Sequence, residues 1–174
     1  KEEISLKIKK NDFYYFSKIK SDEQYPVYFR EKESIEEEIL NANKLGKDLD
    51  YYQISGVSPS PNNNIIAYGE DKNGRREYTV KFKDLRSDSL LIDELQNTSG
   101  NICWGSDEYI YYTLKDPKTL ISNKVFRHKL GESQKDDFLI YEELDDQFNL
   151  SISKSRTDRY IYINSSKTES NEIW

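Results

Sequence analysis

Hydrophobic and polar residues alternate along most of the chain in short runs, which polar turn residues separate. An alternation with a period of two predicts β-strands that bury one face. Three stretches share one plan, in which a short apolar alternation is followed by a polar turn and then by a strand rich in Ile and Tyr. They are ISGVSPSPNNNIIAYGED (54–71), SGNICWGSDEYIYYTLKD (99–116) and FNLSISKSRTDRYIYINS (148–165).

These stretches recur at the interval of a β-propeller blade. Val57, Ile102 and Ile152 take equivalent positions, 45 and 50 residues apart, and a four-stranded blade occupies about 40–50 residues. The segments between them supply a third strand and a short outer strand, as in RREYTVKFKDL followed by SLLIDEL. We therefore expect an all-β fold, a partial β-propeller of four-stranded antiparallel blades within one domain over 1–174. The expected blades cover roughly 11–46 (partial), 51–96, 99–144 and 147–174 (truncated).

The N-terminal part matches the last three strands of such a blade, with DFYYFSKIK, YPVYFREK and EEEILNANKL. One segment competes, because SIEEEILNANKLG (34–46) has an N-cap serine, early glutamates and a terminal glycine, which favour a helix. The repeat instead places a short outer strand at 38–41, and we predict the strand. Asn-Gly in KNGR (72–75) predicts a hairpin, whereas KDPKT (115–119) predicts a longer loop that contains proline.

Composition restricts which binding partners and which cellular compartment are expected for this chain. Aromatic residues make up 13% of the chain, and the 14 tyrosines suit half-buried strands and argue against disorder. The net charge is −6 without a basic stripe, so a nucleic-acid partner is not expected. No apolar run is long enough to span a membrane. The single cysteine, Cys103, forms no internal disulfide, which favours a cytoplasmic location.

Several residues invite a catalytic interpretation, and each has a simpler one. Gly56–Ser60 (GVSPS) resembles a nucleophile elbow but ends in serine and precedes no helix, so we expect a turn before a strand. His128 is the only histidine, and we expect a half-buried or surface strand residue rather than a triad base. One histidine and one cysteine argue against a zinc site. EELDD (142–146) is interpreted as a turn between blades rather than a metal or acid–base pair.

Other conspicuous residues are interpreted as structural. We expect Arg75 and Arg76 to start a strand and to hold neighbouring acidic groups rather than a phosphate. Trp104 and Phe148 are interpreted as packing residues between blades, with stacking on a peptide or sugar as the alternative. Cys103 is interpreted as a small buried hydrophobic residue. The residues themselves thus predict no catalytic, cofactor-binding or metal site.

Longer stretches carry a resemblance to a known family. They are QYPVYFREK (24–32), SPSPNNNIIAYGEDKNGRREYTVKFKDL (58–85), VFRHKLG (125–131), YEELDDQFNLSISKSRTDRYI (141–161) and SNEIW (170–174). With them the chain resembles, over nearly its whole length, the propeller domain of the prolyl oligopeptidase family, in its oligopeptidase B branch. The resemblance implies a cytosolic serine peptidase whose seven-bladed propeller caps an α/β-hydrolase domain, admits short peptides only, and cleaves after Lys or Arg.

The resemblance also implies what this chain lacks. The Ser-Asp-His triad belongs to the hydrolase domain, and no position here matches it, so no catalytic residue is carried over. We expect a fragment holding about three of the seven blades. Its implied partners are the α/β-hydrolase domain of the same parent chain and peptide substrates, without a cofactor, and its open edges would allow self-association. Asp50, in the linker before Tyr51, is the candidate interdomain contact by position alone.

Two other functions remain open from the sequence. A non-catalytic propeller module for protein–protein contact would have the same strand pattern. A glycan-active propeller would place paired carboxylates about 5–10 Å apart, and no such spacing is seen in the sequence, so it ranks last.

Overall fold

The structure, a computed structural model, describes residues 2–167 and 170–173, and this part is built almost entirely from antiparallel strands. A short helix, α1 (Ala42–Leu45), and a 3-10 turn (Gln134–Asp136) are the helical elements described. The strands are β1 (Glu3–Ile4), β2 (Ile8–Lys10), β3 (Phe13–Ile19), β4 (Val27–Lys32), β5 (Ile35–Asn41), β6 (Gln53–Pro59), β7 (Ile65–Asp71), β8 (Tyr78–Asp84), β9 (Ser89–Trp104), β10 (Tyr109–Lys115), β11 (Ser122–Lys129), β12 (Phe138–Glu142), β13 (Asn149–Lys154), β14 (Ile161–Lys167) and β15 (Ser170–Ile173). The described residues leave out positions 1, 168, 169 and 174. The expected blade over 147–174 and the SNEIW segment are therefore described only in part.

The chain divides into two compact units, and the first comprises Lys1–Ile54 with Lys72–Gly74. Its sheet has the strand order β1-β3-β4-β5, and β2 also pairs with β3. The alternation in FYYFSKI and VYFREK turns Phe16 and Val27 inward, where they are buried. Phe16 stacks on Phe29 across the β3–β4 pair, with ring centroids 5.7 Å apart. Aromatic cross-strand pairs of this kind stabilise a sheet by roughly 0.2–1 kcal/mol each.

The helix–strand competition at 34–46 is decided by sheet pairing. Strand β5 pairs with β4 over its whole length and is longer than the predicted 38–41, while helix remains only in α1. The side-chain oxygen of Asn41 accepts hydrogen bonds from the main-chain N–H groups of Asn43 and Lys44, at 3.1 and 3.2 Å, and so caps α1. The strand prediction is confirmed, because pairing with β4 overrides the helix propensity of the glutamates.

The second unit comprises Ser55–Asp71 with Arg75–Trp174. Its larger sheet has the order β12-β11-β10-β9-β8-β7-β6, and a smaller one has the order β13-β14-β15. Strand β9 is 16 residues long. It pairs with β8 between Ser89 and Thr98 and with β10 between Thr98 and Trp104, so it is the outer strand of one four-stranded group and the inner strand of the next.

These groups confirm the predicted fold class, an all-β partial β-propeller of antiparallel strands. The expected blade limits stay a prediction. Within the described part, no helix has the length and hydrophobicity that crossing a bilayer requires.

One hydrophobic core of the second unit lies between its first two strand groups. Burying aromatic and aliphatic side chains stabilises a fold by about 1.5–3 kcal/mol each. The buried residues of this core are Ala67, Val80, Phe82, Leu95, Trp104, Ile110 and Tyr112. A smaller core joins the second group to β13 and contains Cys103, Val125, Leu150 and Ile152. Cys103 is thus a small buried hydrophobic residue, as predicted.

Gly56 and Gly100 permit a close approach between the inner strands of the first two groups. Both have positive φ, +65° and +81°. A Cβ on Gly56 would lie only 2.7 Å from the main-chain oxygen of Gly100. The predicted turn at GVSPS is therefore wrong for its first four residues, which belong to β6, because Gly56 bends the strand without ending it. The turn begins at Ser60.

Two loops show how side chains replace expected turn geometry. The hairpin predicted at Asn73-Gly74 is confirmed, since β7 pairs antiparallel with β8. Its loop is wider than a two-residue turn, because β7 ends at Asp71 and β8 begins at Tyr78. The buried Asp71 carboxylate accepts a hydrogen bond from the Arg76 N–H at 2.8 Å, which fixes a wider loop. Arg75 and Arg76 consequently lie in this loop and do not start the strand.

The prediction of a longer loop at KDPKT is wrong, since the β10–β11 connection (116–121) and the β7–β8 connection (72–77) have six residues each. The KDPKT loop is organised by Asp116. The Asp116 carboxylate accepts from the N–H groups of Lys118 and Thr119, at 2.8 and 2.9 Å. The hydrogen bonds from Thr119 and Lys118 lower the pKa of Asp116.

Candidate functional site

The first two strand groups of the second unit meet along a surface that we call the seam. One side is formed by β6, β7, β8 and Ser89–Leu95, and the other by Asn101–Trp104 with β10, β11 and β12. Trp104 lies in the seam, its ring packed edge-on against Phe82 with centroids 6.0 Å apart. Its Nε1–H donates to the Ser58 carbonyl at 3.0 Å. The interpretation of Trp104 as a packing residue between groups is confirmed.

The loops at one end of the seam are also joined. The Asp107 carboxylate in the β9–β10 turn accepts from the Asn62 N–H in the β6–β7 turn at 2.8 Å. Phe148, the other aromatic residue singled out from the sequence, lies just before β13 and is half-buried. Lys167 of the same strand group places its Nζ 4.7 Å from the Phe148 ring centroid.

His128 is buried in the seam, with a side chain only 1% exposed. Its Nδ1 lies 2.7 Å from Asp137 Oδ1, and its Nε2 lies 3.2 Å from Asp93 Oδ1. The ring stacks on Phe82 with centroids 6.0 Å apart. The expectation of a half-buried or surface histidine is therefore wrong. Two carboxylates satisfy both ring nitrogens, and this allows a polar ring to be buried.

We call Asp93, His128 and Asp137 the clamp, and a wider hydrogen-bond network holds its carboxylates. Asp93 Oδ1 also accepts from the Gly131 N–H at 2.5 Å. Asp137 Oδ2 accepts from the Tyr112 hydroxyl at 2.8 Å. Both carboxylates are thus held from the second strand group, although Asp93 belongs to the first.

A pair of glutamines extends the network beside the clamp. The Gln96 N–H donates to Gln134 Oε1 at 2.9 Å, and Gln134 Nε2 donates back to the Gln96 carbonyl at 3.1 Å. This reciprocal pair ties β9 to the 3-10 turn that precedes Asp137 and so limits where the Asp137 carboxylate can lie.

The surroundings of the clamp set its protonation. Burial opposes a charged imidazole, but hydrogen bonding and charge from Asp137, followed by those of Asp93, outweigh it and raise the pKa of His128. Burial and the Asp137 charge also raise the pKa of Tyr112, whose hydroxyl remains a donor. Both ring nitrogens are hydrogen-bonded to carboxylates and the ring is buried. The geometry therefore gives His128 a structural role and not that of a triad base.

The smaller sheet, β13-β14-β15, is the third strand group. It meets the second strand group through a different set of contacts. Asn101 of β9 forms two hydrogen bonds with the main chain of Ile152 in β13, and Asn149 Oδ1 accepts from the Ser122 N–H at 3.1 Å. A cavity of about 330 Å³ lies beside these contacts. Its lining includes Tyr111, Val125, Lys154, Arg159, Ile161 and Ile163.

The acidic stretch EELDD lies at the same junction. Glu142 ends β12, and Glu143 accepts from the Ser165 hydroxyl at 2.8 Å and from the Asp145 N–H at 3.2 Å. The Ser165 hydrogen bond is the main cause of a lowered pKa of Glu143. The turn interpretation is confirmed. Over residues 2–167 and 170–173, no group of three His, Cys, Asp or Glu is arranged to hold a metal ion.

Asp50 is exposed and lies in the segment between α1 and β6. No hydrogen bond or ion pair of its carboxylate is found within the part of the chain that the structure describes. Its assignment as an interdomain contact stays a prediction.

Sequence reasoning missed Asp93 and Asp137, although one signal was present. In SLLIDEL, residues 91, 93 and 95 share one face of the strand, so Asp93 stands between two leucines on the buried side. A carboxylate in that position requires a buried partner. The single histidine of the chain, His128, lies 35 residues after Asp93 and is a partner of this kind.

Antiparallel four-stranded groups joined along such seams define the class, a partial β-propeller. The family model for the prolyl oligopeptidase N-terminal β-propeller domain matches residues 1–174. The chain therefore belongs to the prolyl oligopeptidase family, as its N-terminal propeller domain.

Named relatives agree with this assignment. Dipeptidyl aminopeptidase BI of Pseudoxanthomonas mexicana is 35% identical over 191 residues, which covers 99% of this chain and 26% of that protein. Protease 2 of Moraxella lacunata is 32% identical over 182 residues, covering 98% and 26%. The chain thus spans about a quarter of the length of the curated relatives it matches.

Solved structures show the same fold. Oligopeptidase B from Leishmania major superposes with a TM-score of 0.93 at 26% identity, covering 99% of this chain and 25% of that one. Oligopeptidase B from Trypanosoma brucei, in a closed form with covalently bound antipain, superposes with a TM-score of 0.87 at 26% identity, covering 98% and 25%.

Proposed function

We propose that this chain is the propeller part of a serine oligopeptidase that cleaves short peptides after Lys or Arg, and that it gates substrate access by size. The observation that carries the proposal is the match of the propeller family model over all 174 residues. Similarity to proteins named oligopeptidase B and Protease 2 supports the Lys/Arg preference. Similarity to a protein named dipeptidyl aminopeptidase makes cleavage of N-terminal dipeptides the competing specificity.

The seam gives the gating role a physical basis. A wall admits small molecules and excludes large ones only if its parts hold their spacing. Buried aromatic packing at Trp104 and the clamp at His128 fix two strand groups against each other on either side of the Phe82 ring, which both residues contact. A rigid cover of this kind sequesters a catalytic site from large substrates, and access then depends on movements of the whole cover.

The proposal assigns the chemistry to another part of the parent protein. The α/β-hydrolase domain of the same parent chain would supply the triad, with Asp50 as a contact to it, and the residues described here would hold no catalytic group. The cytoplasmic location favoured by the sequence belongs to the same proposal.

The test uses the full-length gene product and one cleavage sequence in several settings. A fluorogenic Arg-Arg peptide, a peptide ladder of rising length around the same Arg-Arg pair, and a folded domain displaying it in a loop are compared by kcat/KM. Trypsin, whose site is open, serves as the control that every substrate is cleavable. We expect kcat/KM to fall steeply with length for the gene product and not for trypsin.

Two outcomes would count against the proposal, and they address different parts of it. Equal rates for the short peptide and the folded domain would remove the gating role. If the gene product released N-terminal dipeptides regardless of the residue at the cleavage site, the Lys/Arg specificity would be wrong and the dipeptidyl aminopeptidase specificity would take its place.

A further inference from the structure

We propose that Asp93, His128 and Asp137 form a proton-dependent clamp between two strand groups, which holds the seam while the imidazole is protonated and loosens it when the proton leaves. This goes beyond the proposed function and does not depend on any peptidase chemistry. Its consequence is a propeller wall whose stiffness depends on pH.

The three residues come from both sides of the seam. Asp93 lies in the part of β9 that pairs with β8, and therefore belongs to the first group. His128 lies in β11, and Asp137 immediately precedes β12, so both belong to the second group. The side chains of Asp93, His128 and Asp137 are 4%, 1% and 1% exposed. An interaction so fully buried is screened little by water or salt.

Proton counting shows which bond is lost. A protonated ring donates from Nδ1 to Asp137 at 2.7 Å and from Nε2 to Asp93 at 3.2 Å. A neutral ring has one N–H, and the shorter contact to Asp137 keeps it on Nδ1. The lone pair of Nε2 then faces a carboxylate oxygen, so the bond that breaks is the one to Asp93, which crosses the seam.

Charge acts in the same direction. The protonated clamp places one positive charge between two negative ones. After deprotonation two buried carboxylates face each other across a neutral ring, an arrangement that burial disfavours. Asp93 keeps its bond from Gly131, and Asp137 keeps its bond from Tyr112. The seam is therefore expected to loosen around β9 and the β11–β12 turn and not to unfold.

Among the residues that the structure describes, the titratable groups hydrogen-bonded to the ring are Asp93 from β9 and Asp137 before β12. Tyr112 from β10 lies one hydrogen bond further out. Phe82 from β8 covers the ring face and carries no charge. Because the pKa of His128 is raised, the stabilisation is complete below about pH 6.5 and is lost as pH rises through the raised pKa.

The test is made on the full-length gene product by hydrogen–deuterium exchange with mass spectrometry. Exchange at the histidine Cε1 position gives the titration of His128 from the peptide that contains it. Amide exchange, corrected for the intrinsic pH dependence, reports opening near Gln96 and Gly131. We expect His128 to titrate above pH 6.5, and amide protection near Gln96 and Gly131 to fall over the same pH range.

Asp137→Asn is the informative variant, and Asp136→Asn is its matched control, because Asp136 is the exposed neighbour. We expect Asp137→Asn to move the His128 titration to 6.5 or below and to abolish the alkaline loss of protection, and Asp136→Asn to behave as wild type.

A wild-type His128 that titrates at or below 6.5 would overturn the proposal, and so would an alkaline loss of protection that Asp137→Asn leaves unchanged. The wild-type titration requires no substitution, so it decides even if the variant fails to fold. None of these measurements uses peptidase activity, so they stand or fall separately from the proposed function.

Discussion

The side-chain amide of Asn101 pairs with the main chain of Ile152 as a neighbouring strand would. Asn101 Oδ1 accepts from the Ile152 N–H at 2.6 Å, and Asn101 Nδ2 donates to the Ile152 carbonyl at 3.0 Å. One side chain thus supplies both bonds of a ladder rung between β9 and β13. The main-chain N–H of Asn101 donates to the Ser99 hydroxyl at 3.1 Å, which fixes the backbone position from which the Asn101 side chain extends.

Replacing Asn101 by Ala should release β13 from the second strand group. Two hydrogen bonds are lost and two main-chain groups of Ile152 lose their partner, so the free energy of unfolding should fall by about 2–4 kcal/mol. Urea unfolding of the chain measures the change. Asn123→Ala is the control, because the main-chain oxygen of Asn123 and not its side chain takes part in a hydrogen bond found here. A loss as large in the control would contradict the role of the Asn101 amide.

Trp104→Phe separates packing from hydrogen bonding in the seam. Phenylalanine keeps an aromatic ring against Phe82 but removes the Nε1–H that bonds the Ser58 carbonyl. We expect a loss of about 1–3 kcal/mol from the bond together with the smaller ring. Trp104→Ala should cost about 3–5 kcal/mol, because a cavity is added. Thermal unfolding of both variants compares the contribution of the hydrogen bond with that of ring packing. If both variants lost the same free energy of unfolding, the ring would contribute nothing beyond the hydrogen bond.

Gly56→Ala tests the close approach of the inner strands. An alanine at this position meets both a positive φ and a main-chain oxygen 2.7 Å from its Cβ, so we expect a loss of about 1–3 kcal/mol or more. Gly131→Ala is a matched control, since its φ is +87° but no atom lies within 4 Å of the added carbon. The difference between the two variants in urea unfolding isolates the steric part. If both lose the same amount, the inner strands can move apart at no cost.

Acid should weaken the junction at Glu143. Its pKa is lowered, chiefly by the Ser165 hydroxyl, so its stabilisation is present above its ordinary pKa of 4.5 and disappears as pH falls through the lowered value. Glu143→Gln should flatten the dependence of the urea midpoint on pH below about 4.5. Ser165→Ala removes the donor and should flatten it as well. A slope unchanged in both variants would assign the acid sensitivity to other carboxylates.

The sequence predicted the strands well because their alternation is a local property. The Ile- and Tyr-rich strands and the outer strand, predicted at 38–41 and observed at 35–41, follow from residues within a few positions of one another. Within β9, Asn97 and Gly100 depart from regular strand geometry. Both residues have positive φ, and the pairing register shifts beside them, so the strand accommodates them as irregularities.

The bond of the clamp that crosses the seam and the Asn101 rung could not be predicted in the same way, because the residues they join are distant in sequence. His128 pairs with Asp93 across 35 residues, and Asn101 with Ile152 across 51. Alternation indicates which face a residue occupies but not what lies opposite it. The width of the hairpin loop at Asn73-Gly74 was missed for a related reason, since the buried carboxylate of Asp71 selected another loop conformation.

Strand β9 has a consequence for how the chain tolerates changes in length. Because the first two groups share this strand, no loop lies between them, and a single inserted residue after Leu95 would reverse the facing of the residues that follow. The connection between β12 and β13 is different, since it is a turn with Leu144 88% exposed. Insertions and deletions among natural relatives should therefore concentrate at 143–148 and avoid 95–101, so an alignment would show one junction of constant length beside one of variable length.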